Sequence, residues 1–178
     1  MALPKPVERL WDELQSVRAE VLREAEGLSE RQADWKPSER EWSVGEIIDH
    51  LTLAEINTGK LTSKLLKEAP AGVVFPADLT EFAPVPGGPL GPAEAPQVVW
   101  PGHGKSIDEL ITAMKATRVR SRQSVERLAT CDPQTLTFKH FRLGEMDLGQ
   151  WWRLQASHDL SHLEQLPQVK AAPGFPEQ

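Results

Sequence analysis

The chain reads as an all-α protein, a four-helix bundle, on three grounds. Apolar residues recur at intervals of three and four along four long stretches, each the stripe of an amphipathic helix. Capping-box spacings open three of those stretches, and one segment rich in proline and glycine separates the second from the third. A connector as long as residues 70–105 spans more than ~40 Å even when partly extended, so it can cross the length of a bundle and allow an up-down-down-up arrangement.

The first helix runs from Pro6 to Gly27, where Val7, Leu10, Trp11, Leu14, Val17, Val21, Leu22 and Ala25 form one stripe and the glycine ends it. Ser29 and Gln32 mark a short capped turn, after which Pro37 makes the chain a connector. The second helix starts at Ser43, with Glu46 completing the box and Trp42 and Ile47 spaced as a staple. Val44, Ile47, Ile48, Leu51, Ala54, Leu61 and Leu65 carry it to Pro70, with Asn57-Thr58-Gly59 a point where it could bend.

Residues 70–105 show no sustained period. Val73, Val74, Phe75, Phe82, Val98, Val99 and Trp100 are nevertheless too apolar for a solvated linker, so this connector is expected to pack over the bundle. Ser106 and Glu109 cap a third helix that ends near Ala129, and Arg118, Arg120, Arg122 and Arg127 on it read as a solvated charged face. Asp132-Pro133 looks like the cap and first position of a short helical turn. Asp147 and Gln150 open the fourth helix, which Pro167 is expected to close.

With 178 residues, 39% of them hydrophobic, the chain has the size of one domain, 1–178, able to bury a core without disulfides. The net charge of -6 argues against nucleic acid as a partner, since phosphate binding needs clustered Lys and Arg. No apolar run approaches the ~20 residues of a membrane span, so no membrane partner and a cytoplasmic location are expected. Cys131 stands alone, so a metal would have to be held by histidine and carboxylate.

The five histidines are the most informative residues. His158 and His162, four apart in the last helix, share one face a turn apart and can chelate one ion. His50 lies on the inward side of the second helix and becomes the natural third ligand, because bundle cores are where helices converge on a metal. Three neutral imidazoles with an open position make a catalytic rather than a structural zinc site. Three unrelated core histidines are the alternative. Glu46 and Glu55 are the carboxylates that could manage a proton, and Gln155, Asp159 and Glu164 are further candidates to orient the rings. Trp100 and His103, at the end of the connector, are candidate pocket residues for substrate or cofactor, with an ordinary surface loop as the alternative.

Three segments carry a family resemblance: residues 42–51 (WSVGEIIDHL), residues 140–144 (HFRLG) and residues 158–165 (HDLSHLEQ). Together they resemble the DinB/YfiT-like family of metal-dependent enzymes, and the match covers nearly the whole chain. The resemblance implies a four-helix bundle, often dimeric, that binds a divalent ion, zinc or nickel, through His50, His158 and His162. It further implies a transferase that activates a low-molecular-weight thiol toward a small-molecule substrate. A hydrolase working through activated water, and a non-catalytic metal-binding stress-associated protein with His103 closing the site, are the other readings.

Overall fold

A computed structural model describes residues 2–87 and 95–177. The helices, in chain order, are α1 (Lys5–Ala25), α2 (Glu30–Asp34), α3 (Val44–Glu68), α4 (Ile107–Glu126) and α5 (Leu148–Ala171). Between α4 and α5 lie two short strands, β1 (Thr137–His140) and β2 (Gly144–Asp147). No described helix is long and apolar enough to cross a membrane. Part of the 70–105 connector, residues 88–94 with Pro89 and Pro92, lies outside the described residues.

Capping chemistry starts the helices where the sequence says it should. Ser29, Ser43, Ser106 and Asp147 each accept a hydrogen bond from the backbone three residues on, and the side chain there accepts one back. Helix α3 runs unbroken through Asn57-Thr58-Gly59, where Asn57 Nδ2 donates to the Leu53 carbonyl and, a turn on, Thr62 Oγ1 to the Thr58 carbonyl, each at 2.8 Å. Helix α4 gives way to a 3-10 turn over Arg127–Thr130, close to the expected end near Ala129.

Pairings between the helices establish their directions. Gly45 faces Leu110, Glu55 meets Arg118 and Gly59 lies against Ser124, so α3 and α4 run parallel. Arg18 meets Asp159 and Glu24 meets Lys170, so α1 and α5 are parallel too. His50 with His158 and Thr62 with Trp152 make α3 and α5 antiparallel. The order is up-down-down-up, and the connector spans the crossover. Phe82 within the connector is buried, and its ring lies so close to Gly149 that any Cβ there would fall 2.3 Å from it. Val99 is buried as well. These described parts of the connector pack on the bundle as expected, whereas Val74, Val98 and Trp100 stay exposed.

Two expectations are corrected. Pro167 lies inside α5 rather than ending it. An interior proline costs about 3 kcal/mol, but burying each aliphatic side chain such as Leu166 and Val169 contributes about 1.5–3 kcal/mol, and Lys170 pairs with Glu24 at 2.5 Å. Asp132-Pro133 opens a short turn as expected, in which the Asp132 carboxylate accepts from Gln134 N and its carbonyl from Thr135 N. The chain then forms an antiparallel hairpin, a small addition to an otherwise helical fold, pairing His140 with Gly144 and Phe138 with Met146. Gly144, at φ 78°, supplies the left-handed residue that a three-residue hairpin loop needs. Lastly, Arg118 is no part of a solvated face; it is buried between the helices.

Two apolar clusters fill the bundle. One gathers Leu10, Leu14, Leu65, Val125, Leu128, Leu148 and Trp152, the other Val21, Ile47, Ile48, Leu51, Met114 and Leu166. On every long helix one charged residue separates them: Arg18, Glu55, Arg118 and Asp159. These four form a closed ionic layer. Arg18 grips Asp159 at 2.7 and 2.8 Å and reaches Glu55 at 2.9 Å, while Arg118 meets Glu55 at 2.9 and 3.1 Å and Asp159 at 3.3 Å.

Candidate metal centre

His50 sits a turn and a half into α3, and His158 and His162 project from one face of α5. Antiparallel packing of α3 against α5 brings the three rings together, with Nε2 of His158 at 2.9 Å from Nε2 of His50 and 3.1 Å from Nε2 of His162. One ligand atom from each lies within 4.8 Å of the others, and among the described residues this is the group of histidine, cysteine and acidic side chains that could hold a metal ion.

The far nitrogens decide what the near ones can do. His50 Nδ1 lies 2.8 Å from the Val99 carbonyl, which only accepts, so the ring proton is on Nδ1 and Nε2 carries a lone pair. His162 Nδ1 lies 2.8 Å from Gln165 Oε1, which assigns the same tautomer. Burial lowers the proton affinity of all three, and the neighbouring rings add to it for His50 and His158: His50 falls to about 4, and His158 lies well below the usual histidine value. Neutral lone pairs facing one another at such distances repel. A shared proton can satisfy one such contact, whereas a divalent cation accepting all three lone pairs would satisfy the set. The donor chemistry therefore fits a cation.

Trp42 covers the triad, its ring 4.6 Å from that of His50 and stacked 6.3 Å from that of His162. The centre opens on a cleft of about 1430 Å³. One wall is the end of the connector with Val98 and Trp100, and the other is the hairpin and α5 with Phe138, Phe141 and Trp151. Trp100 and Phe141 are 54% and 61% exposed, which leaves apolar surface facing the space above the triad. The connector is strapped down beside His50, because Asp49 accepts from Gly102 N at 2.8 Å and from Lys105 Nζ at 2.9 Å.

Other residues singled out from the sequence are placed as follows. Glu46 lines the cleft while capping Ser43 and pairing with Lys36 at 3.0 Å. Glu55 is fully buried, with both oxygens taken by Arg18 and Arg118, and it does not line this cleft. Trp100 and His103 line it, His103 exposed and outside the triad. Gln155 is buried against the cleft, Asp159 belongs to the ionic layer and Glu164 is exposed at the rim. The ring partners are instead the Val99 carbonyl and Gln165. A backbone carbonyl carries no sequence signal, but Gln165 stands three residues after His162, a spacing that could have flagged it.

His140 also went unassigned from its sequence context. It is buried at the end of β1, lines the cleft, and its Nδ1 accepts from the backbone amides of Arg142 and Leu143, each at 3.2 Å.

Comparison with known proteins gives three matches. The family model described as "DinB superfamily" matches residues 13–166. The chain is 25% identical over 154 residues to the "Uncharacterized protein YuaE" of Bacillus subtilis (strain 168), covering 86% of this chain and 92% of that one. Its fold is similar to that of the crystal structure of "TT2238, a four-helix bundle protein", with a TM-score of 0.63 and 18% identity over 91% of this chain and 98% of the other. At that identity the likeness speaks for the fold alone.

Proposed function

The chain belongs to the DinB superfamily, and from that premise we propose that it is a metal-dependent transferase in which His50, His158 and His162 hold a divalent cation, zinc or nickel, and a low-molecular-weight thiol is the nucleophile. The observation that carries this reading is the convergence of three neutral imidazole nitrogens beneath an open, apolar-walled cleft. Bound there, such a cation supplies Lewis acidity and lowers the pKa of a thiol or water that reaches its open position.

The protein's own groups do the rest. The Val99 carbonyl and Gln165 hold two of the rings in the ligating tautomer. Trp42 covers the triad on one side. Val98, Trp100, Phe138 and Phe141 offer surface for the apolar part of an electrophilic substrate. A second reading, hydrolysis by activated water, is favoured by Glu46, whose carboxylate borders the same cleft and could accept a proton.

Elemental analysis tests the ligand set. Wild type is expected to carry stoichiometric metal, and His158→Ala and His162→Ala to lose it while staying helical, since the apolar clusters carry the fold. Unchanged metal content in either variant refutes the assignment. Turnover with bacillithiol, mycothiol, coenzyme A and glutathione plus an electrophile, set beside ester and amide substrates, separates transfer from hydrolysis.

A further inference from the structure

His140 is built the opposite way round from His50 and His162. Two backbone amides donate to its Nδ1, so that nitrogen carries a lone pair and the ring proton sits on Nε2. Phe141 and Trp151 clamp the ring at centroid distances of 4.6 and 5.3 Å, and Trp151 Nε1 donates to the Phe138 carbonyl, fixing the hairpin to α5. Among the described residues no side chain or carbonyl bonds Nε2, and since Arg18 Nη1 is the buried side-chain atom there without a hydrogen-bond partner, Nε2 reaches the open cleft that the side chain lines. It is also close enough to His158 for charge on one to disfavour charge on the other. A rigid N–H, aimed by the fold and left without an acceptor beside a cluster of lone pairs, is a recognition element awaiting one.

We infer that His140 donates a hydrogen bond from Nε2 to an acceptor oxygen of the molecule bound above the triad, and that the ligand class is a small apolar or aromatic compound bearing a carboxylate or carbonyl. The ring stays neutral, since burial and then the charge of Arg142 hold its proton affinity below the ordinary histidine value. A neutral donor polarises a carbonyl without the repulsion that a cationic ring would exert on a metal centre. The apolar walls at Trp100 and Phe141 suit the rest of such a molecule. The inference rests on the three-histidine reading for where the ligand sits.

The test uses the full chain supplied with zinc, with benzoate as the probe and binding followed by the fluorescence of the cleft tryptophans. His140→Asn can place Oδ1 where Nδ1 accepts the two amides and leaves nothing at Nε2. His140→Gln can reach the Nε2 position with an N–H and gives up the amide contacts. Benzoate is expected to bind wild type, about tenfold more weakly to H140N, and within about threefold of wild type to H140Q. A merely structural His140 gives the reverse order, with Asn the better substitute. That order, or no benzoate binding to wild type, overturns the inference. Long-range proton–nitrogen correlation spectra add a readout independent of binding: His140 protonated on Nε2 supports it, and His140 protonated on Nδ1 overturns it. Wild type that takes up no zinc yet shows this tautomer and this order of affinities fails the three-histidine reading and leaves the role of His140 standing.

Discussion

A histidine that its surroundings keep uncharged is a proton acceptor that folding has switched off, and the triad contains three of them, His50 buried and His158 and His162 half-buried. In the metal-free protein His50 holds its proton only near pH 4, whereas the unfolded chain takes one up near 6.5. Between those values the unfolded state binds more protons, so stability rises with pH and is lost as pH falls through the window. The shift of His50 corresponds to roughly 3 kcal/mol, and His158 and His162 add in the same direction. Urea unfolding of chelator-treated protein should therefore show a midpoint that drops steadily from pH 7 to pH 4.5. A flat profile would contradict the burial of these rings. The three histidines themselves were legible in the sequence, because i,i+4 spacing on a helix and an inward position at 50 are local facts. Their tautomers were not, since Val99 lies 49 residues from His50 and reaches it only through the fold of the connector.

At the level of elements, caps and stripes were readable because they are short-range, and the errors lie where distant packing overrode a local rule. Pro167 is a stop signal that Leu166 and Val169 override by burial, and the hairpin was missed because four-residue strands with only His140 and Met146 buried show no period. The connector displays the same dependence on partners. Phe82 is buried because Gly149, at the start of α5, leaves its ring room. Gly149→Ala should cost about 1–3 kcal/mol by overpacking, read as a lower urea midpoint at unchanged slope. A midpoint equal to wild type would mean that the connector is not seated there. Closer to the site, Asp49 ties down the segment that presents the Val99 carbonyl. Asp49→Ala should weaken zinc binding about tenfold in a competition titration while leaving helicity intact, the low end of the range for groups that orient a ligand. Equal zinc affinity in this variant would show that the strap does not orient His50.

Over the whole molecule, the ionic layer is the feature that couples all four long helices, and nothing local announces it: each of its charges lies on a helix that elsewhere carries solvated ones. Its physics predicts an asymmetry. Four charges taken out of water are expensive, and their mutual attraction repays this only while the set is complete. Removing one partner strands its neighbours, so Glu55→Ala, leaving two buried guanidinium groups short of an acceptor, should cost about 3–5 kcal/mol in urea unfolding at neutral pH. Replacing the whole layer by apolar residues of similar volume should cost far less, or stabilise by about 1–4 kcal/mol. Acid does reversibly what the substitution does permanently. Burial alone would raise the Glu55 carboxyl, but Arg18 and Arg118 outweigh it and hold it below the ordinary 4.5. A depressed carboxylate contributes its full stabilisation above that value and loses it as pH falls through the lower folded value. As pH falls below 4.5 the wild type should thus approach the stability of the Glu55→Ala variant, whereas the loss that His50 brings begins already near 6.5. If the gap between the two proteins is the same at pH 3 and pH 7, the layer is not held together by charge.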